Sequence, residues 1–144
     1  MTARATRPVV VVGVDGSQCS IEALRWAARQ AELTGAELLA LIAWSLPEIY
    51  GYTPRDFKGE AAKALGDAIE KALGDHPSVP VIAQVVEGHA AEALVEASRD
   101  AQLLVVGRHG HGTFTGMLLG SVSQHCVAQA HCPVVVFRTP SSGR

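Results

Sequence analysis

The sequence predicts an α/β domain: one parallel sheet of five strands with helices on both faces. Three observations carry this expectation. Short Val-rich runs of strand length alternate with stretches whose apolar residues recur at helical spacing. Gly and Pro punctuate nearly every junction. The 144 residues are 48% hydrophobic but only 18% charged, with 22 Ala, 17 Val and 5% aromatics. A typical soluble domain is nearer ~25% charged. So much Val in so small a chain is expected to fill five short strands buried on both faces, as parallel sheets require.

The elements follow in order. Val9 to Val14 is nearly continuous Val and reads as the first strand. Asp15-Gly16-Ser17 breaks it, and Ser17 or Ser20 can cap the helix that follows. In that helix Ile21, Leu24, Ala28 and Ala31 share a face, and Gly35 stops it. Glu37 to Trp44 is apolar throughout; its length and its place after a helix stop favour strand over helix. Ser45 to Arg55 holds two Pro, two Tyr and a Gly, and reads as a loop. Phe57, Ala61, Leu65, Ile69 and Ala72 mark the second helix, ended by Gly74. Val79 to Val86 is the third strand, and Pro80 near its start places it at a sheet edge. Gly88 follows, then a helix from Ala90 to Asp100 with Leu94 and Val95 inward. Leu103 to Val106 is the fourth strand, Ser121 to Ala130 the fourth helix, and Pro133 to Phe137 the fifth strand. The tail from Thr139 to Arg144 is polar. There is no repeat and no linker, so residues 1–144 are expected to form one domain with its core in 8–138.

Composition narrows the partners. The formal net charge of −2 argues against general electrostatic binding of nucleic acid. No run approaches the ~20 apolar residues of a membrane-spanning helix. The apolar run after Arg7 is too short for a secretion signal, so a cytoplasmic protein is expected. Cys19, Cys126 and Cys132 have no metal-type spacing and read as packed thiols rather than a disulfide scaffold.

Regular alternation implies right-handed crossovers. Ligands of such sheets bind at the carboxyl ends of strands, where strand order reverses. Three junctions therefore matter: Gly13 to Ser17, Trp44 to Pro47, and Gly107 to Ser123. The last is the most informative. Five of the fourteen glycines fall in it: Gly107, Gly110, Gly112, Gly116 and Gly120. Without a β-carbon, the peptide N–H groups can converge on an anion. Gly120-Ser121-Val122-Ser123 then opens a helix, whose first N–H groups and dipole favour the same anion. Ser121 and Ser123 add hydroxyls, and Arg108, His109 and His111 surround the loop. The pattern is neither a P-loop, which needs a Lys, nor a dinucleotide fingerprint.

Gly107-x-x-Gly110, nine residues, then Gly120-Ser121 resembles the ATP-binding signature of the universal stress protein family. Val12 to Ser17 is similar to that family's first-strand motif. Leu119 to Ser123 and Cys132 to Val136 are similar to its fourth-helix start and closing strand. The resemblance spans Pro8 to Arg138. It implies a Rossmann-like sheet of the adenine nucleotide alpha hydrolase-like type, with strand order 3-2-1-4-5. It also implies ATP, with or without magnesium, across the ends of strands 1 and 4. On that resemblance Gly13, Val14 and Asp15 line base and ribose, Ala43 touches the adenine, and Gly107 approaches the ribose. Arg108, His109, Gly110, His111 and Gly112 wrap the phosphates, and Gly120, Ser121, Val122 and Ser123 close from the other side. Arg108 stands where many members have Ser. A homodimer through strand 5 is implied as well.

The residues leave other readings open. Asp15 either takes a ligand donor or only stabilises its own turn. The domain is an ATP-binding regulatory module of the stress response, a slow ATPase or transferase with Asp15 or His111 as base, a cyclic AMP binder, or a nucleotide-free interaction protein. With no Lys in the cradle and few charges near it, backbone amides must hold the phosphate. That favours a binder over a catalyst.

Overall fold

The computed structural model describes residues 7–46, 55–109 and 119–139. The chain runs β1 (Val9–Gly13), α1 (Gln18–Thr34), β2 (Glu37–Trp44), α2 (Phe57–Leu73), β3 (Val81–Glu87), α3 (Ala90–Ala97), β4 (Leu103–Gly107), α4 (Ser121–Gln129) and β5 (Val134–Phe137). All strands are parallel, in the order β3-β2-β1-β4-β5. The first three strands step one way from β1 and the last two step the other way. The β1–β4 pair is therefore the switch point of a single α/β domain.

Alternation along the three central strands builds the two cores. Val10, Val12, Leu38, Ala40, Ile42 and Val105 face α1 and α2, meeting Leu24, Ala27, Ala31 and Leu65. Val11, Leu41, Leu104 and Val106 face the other way, toward Leu94 and Cys126 of α3 and α4. Register sets this arrangement: Val10 pairs with both Leu38 and Leu103. A slip of one residue would turn every side chain to the wrong face. The Ala-rich stripe of α1 lets that helix lie close over the sheet, and Trp26 reaches the ring of Phe137 at 6.5 Å between centroids.

Two caps frame α1. Ser17 Oγ accepts from Ser20 N, and Gly35, at φ +70°, ends the helix in the left-handed conformation. Thus Ser17, not Ser20, is the N-cap.

Several expectations need correction. Only β1, β2 and β4 carry continuous buried runs. In β3, Ile82, Ala83 and Gln84 are exposed, and β5 is half-buried throughout. Edge strands have a neighbour on one side only; α2 packs over Val81 and Val85 of β3, while the eight-residue α3 on the other face is too short to cover it. The third strand begins at Val81 rather than Val79, because Pro80 has no N–H for the ladder; its carbonyl still accepts from Leu38 N at 2.9 Å. The third helix is α-helical only to Ala97 and closes in a 3₁₀ turn, Ser98–Asp100. Its inward residue is Leu94, while Val95 is only half-buried. Most of the loop expected at 45–55 and the tail beyond 139 lie outside the described residues.

Candidate functional site

The turn from β1 into α1 is held by three short-range hydrogen bonds. Asp15 Oδ1 accepts from Ser17 N at 2.9 Å. Asp15 N donates to Ser20 Oγ at 3.3 Å, and that hydroxyl donates to Ser17 O at 2.9 Å. The exposed Asp15 therefore does stabilise its own turn. At the end of β4, Arg108 N donates to Phe137 O, and Arg108 O accepts from Gly120 N, each at 2.8 Å. The Ser123 hydroxyl lies 3.1 Å from Arg108 O and 3.0 Å from Gly120 O and donates to this carbonyl pair. These bonds pin the start of α4 beside the end of β4. They also correct one expectation: the buried Ser123 hydroxyl proton serves the fold, and only Ser121 presents an exposed hydroxyl.

Between these two turns lies a cavity of about 300 Å³. Gly13, Val14, Asp15, Gly107, His109, Gly120, Ser121, Val122 and Ser123 all line it. Residues far apart in sequence thus converge at the carboxyl ends of β1 and β4. Ala43 and Arg108 do not line it; Leu41 supplies the β2 wall, two residues before Ala43. Gly110, His111 and Gly112 lie outside the described residues. The sequence reading missed Ser20, Leu41, Ala90, Leu94 and Val106, which complete the lining. The four apolar ones read as core, because an apolar residue at a cavity wall carries no distinct local signal.

Two glycines stand here for reasons of space. A β-carbon on Gly13 would come within 2.8 Å of Leu94 Cδ1, and one on Gly107 within 2.9 Å of Cys19 Sγ. Gly107 therefore admits the half-buried Cys19, whose thiol also sits 3.7 Å from Phe137 O. Cys19 packs, as expected.

Helix ends give the cavity its polarity. Ser17 caps α1 with its side chain, whereas the N-caps of α3 and α4, His89 and Gly120, make no side-chain cap bond. Both of these uncapped ends reach the cavity, through Ala90 and through Gly120 to Ser123. Uncapped N–H groups and the positive dipole end favour an anion there. Leu41, Leu94 and Val106 give the remaining wall an apolar character suited to a flat, uncharged group. Among the described residues no three His, Cys, Asp or Glu side chains gather as metal ligands. No helix among them is long and apolar enough to cross a membrane.

A family model described as the universal stress protein family matches residues 7–138. The chain belongs to the universal stress protein family. Universal stress protein Rv2005c of Mycobacterium tuberculosis is 42% identical over 132 residues, covering 90% of this chain and 45% of that protein. Universal stress protein Rv1996 of the same organism is 39% identical over 147 residues, covering 96% and 46%. This universal stress protein chain thus spans about half the length of the curated relatives it matches. Among solved structures, UspA from Lactobacillus plantarum shares the fold with a TM-score of 0.76 at 21% identity, over 94% of this chain and all of that one. A universal stress protein in complex with cAMP has a TM-score of 0.66 at 29% identity, with coverage of 94% and 100%.

Proposed function

We propose that this universal stress protein domain binds an adenine nucleotide in the cavity between β1 and β4, with ATP as the ligand of the Gly107–Gly110–Gly120 signature and little turnover. The observation that carries the reading is the convergence of the β1 turn, the end of β4 and the uncapped start of α4 on one cavity. The lining fits such a ligand in kind. Its amide-rich end suits phosphate, its apolar wall suits a base, and its volume lies at the lower end for small-molecule sites. The protein's part is binding and orientation. N–H groups of Ser121 to Ser123 hold the phosphate nearest α4, while Leu41, Leu94 and Val106 exclude water from the base. Magnesium would add charge neutralisation to a triphosphate. Phosphoryl transfer also needs a positioned group that orients the nucleophile. Asp15 and His109 are the titratable groups of the described lining, and Asp15 is engaged in its turn.

Cyclic AMP is the second reading, favoured by the likeness to the cAMP complex at 29% identity. Calorimetry with ATP, ADP, AMP and cyclic AMP tests both readings. Chromatography of nucleotide released on denaturing the purified protein tests them independently. Heat with ATP and a turnover far below about 1 s⁻¹ is the expected result. Metal-dependent turnover at or above that rate, abolished by Asp15→Asn with binding intact, would make it an enzyme. No heat and no thermal shift with any of the four would end the nucleotide reading. The same proposal includes a cytoplasmic regulatory role in the stress response and a homodimer through β5. Among the described residues β5 pairs only with β4, which leaves its outer edge to accept a strand. Sedimentation of a single monomeric species at micromolar concentration would contradict the dimer.

A further inference from the structure

A second cavity, of about 310 Å³, lies on the far side of α3 from the first. Ala90 and Leu94 of α3 face the first cavity, whereas Ala93, Glu96 and Ala97 face the second. Leu41 lines both. Register explains the opening. Leu39 and Leu41 of β2 share this face of the sheet with their partners Ile82 and Gln84 and with Val86. Helix α3 packs on β1 and β2 and leaves β3 bare here: Ile82 is 45% exposed, and Gln84 is exposed too. The lining runs from Val9, the partner of Glu37, to Val86, the partner of Ala43. At strand spacing that is a trough about 20 Å long, the length of a helix of about 13 residues. Its rim is acidic. Glu96 and Asp100 line it, and Glu92 stands one turn back along α3 at the same spacing. All three are exposed. Glu96 pairs with Arg99 at 3.1 Å in an exposed bridge, a kind that contributes little and can be exchanged for an incoming cation. The lysines, Lys58, Lys63 and Lys71, all belong to α2, which packs on the opposite face.

We infer that this trough docks a basic amphipathic helix of a partner protein. The helix lays its apolar stripe on Leu39, Ile82 and Val86, and its lysines or arginines run along Glu92, Glu96 and Asp100. This is helix-in-groove recognition, with α3 as the neighbouring helix. The trough's length suits a helix better than a small molecule. Its one-sided charge selects the partner. A second copy laid trough to trough would bring the same carboxylates together, and like charges across an interface repel. A surface of anionic lipid is repelled for the same reason. The docking surface does not depend on the nucleotide reading.

The test uses the intact chain and two helical peptides of about 13 residues. One carries leucines on one face and lysines along its flank; the other has glutamate for every lysine. Amide NMR should show the lysine peptide shifting Gln84, Val86, Ala93 and Ala97, and the glutamate peptide should bind at least about tenfold more weakly. Glu96→Lys with Asp100→Lys should weaken the lysine peptide about tenfold and gain the glutamate peptide. Glu70→Lys with Asp75→Lys, the same charge change away from the trough, should leave the lysine peptide within about twofold. Ile82→Ser removes an apolar anchor at an exposed position and should weaken the lysine peptide severalfold. Equal binding of the two peptides, or equal effects of the two double variants, overturns the inference. So does an absence of binding, or a set of shifts confined to the nucleotide cavity. A dimer in sedimentation that Ile82→Ser dissociates would make the trough a contact between copies, and that also overturns it.

Discussion

Gly107 and Cys19 occupy one piece of space. A methyl group at position 107 would meet Cys19 Sγ at 2.9 Å and His109 O at 3.5 Å. Gly107→Ala should therefore cost about 1–3 kcal/mol of stability, as overpacking does. Cys19→Ala in the same chain should restore most of it, because the clash is with the sulfur. Paired urea titrations of the single and double variants check this. Cys126 offers a pH prediction. It is fully buried on α4, and burial pushes its thiol from 9.0 up to about 11. The folded state resists forming the thiolate that the unfolded chain forms more readily. The stability this group contributes is thus complete below pH 9 and is lost as pH rises from 9 toward about 11. Melting curves across that window should fall less steeply for Cys126→Ala than for wild type. Asp15 shows how far one residue can be read locally. Its turn-stabilising bond was legible from Asp15-Gly16, but the cavity beside it was not, because Leu41 and Leu94 come from distant segments.

At the scale of elements, the helix starts divide into two kinds. Ser17 and Asp56 cap α1 and α2 with side-chain oxygens, Asp56 Oδ1 accepting from Gly59 N at 2.9 Å. The starts of α3 and α4 have no such cap and reach the cavity. Ser17→Ala and Asp56→Ala should each cost about 1 kcal/mol. Neither should weaken ATP directly, because both residues lie outside the cavity lining and the bond from Ser17 N to Asp15 Oδ1 is a backbone bond that Ala keeps. Thermal melts with and without nucleotide check both points. The long periodic helices and the Val runs were readable in sequence, because burial on one stripe or on both faces imposes a period. The shortened third helix was not. Its end depends on a 3₁₀ turn over Ser98–Asp100, where buried Ser98 Oγ donates to Val95 O and accepts from His131 N. That second bond joins segments 33 positions apart.

At the scale of the whole molecule, a ligand held only by the native cavity stabilises the fold by mass action. ATP at about one hundred times its dissociation constant should add about 2.7 kcal/mol. For a chain of this size that is on the order of 5–10 °C in melting temperature. Differential scanning calorimetry over an ATP series should show the logarithmic rise, and a flat series would separate this domain from nucleotide binders. The charge balance bears on the same point. At a formal net charge of −2, the chain has no general field to draw in a triphosphate. The local dipoles at the start of α4 must supply the attraction.

The order of elements, the parallel sheet and the glycine signature were determined by sequence alone. They rest on period, punctuation and spacing, which are local properties of a chain. The tertiary structure decided which strands are buried on both faces and which hydroxyls are committed to the fold. It also decided which apolar residues wall the cavity. Burial of β3 is limited by its place at the sheet edge, which the order of all five strands sets. The Ser123 proton is shared between Gly120 O and a carbonyl fifteen residues away at the end of β4. Leu41 and Leu94 become a wall only when β2 and α3 meet beside Gly13. Each of these is set by contacts between distant segments, and no window of sequence contains both partners.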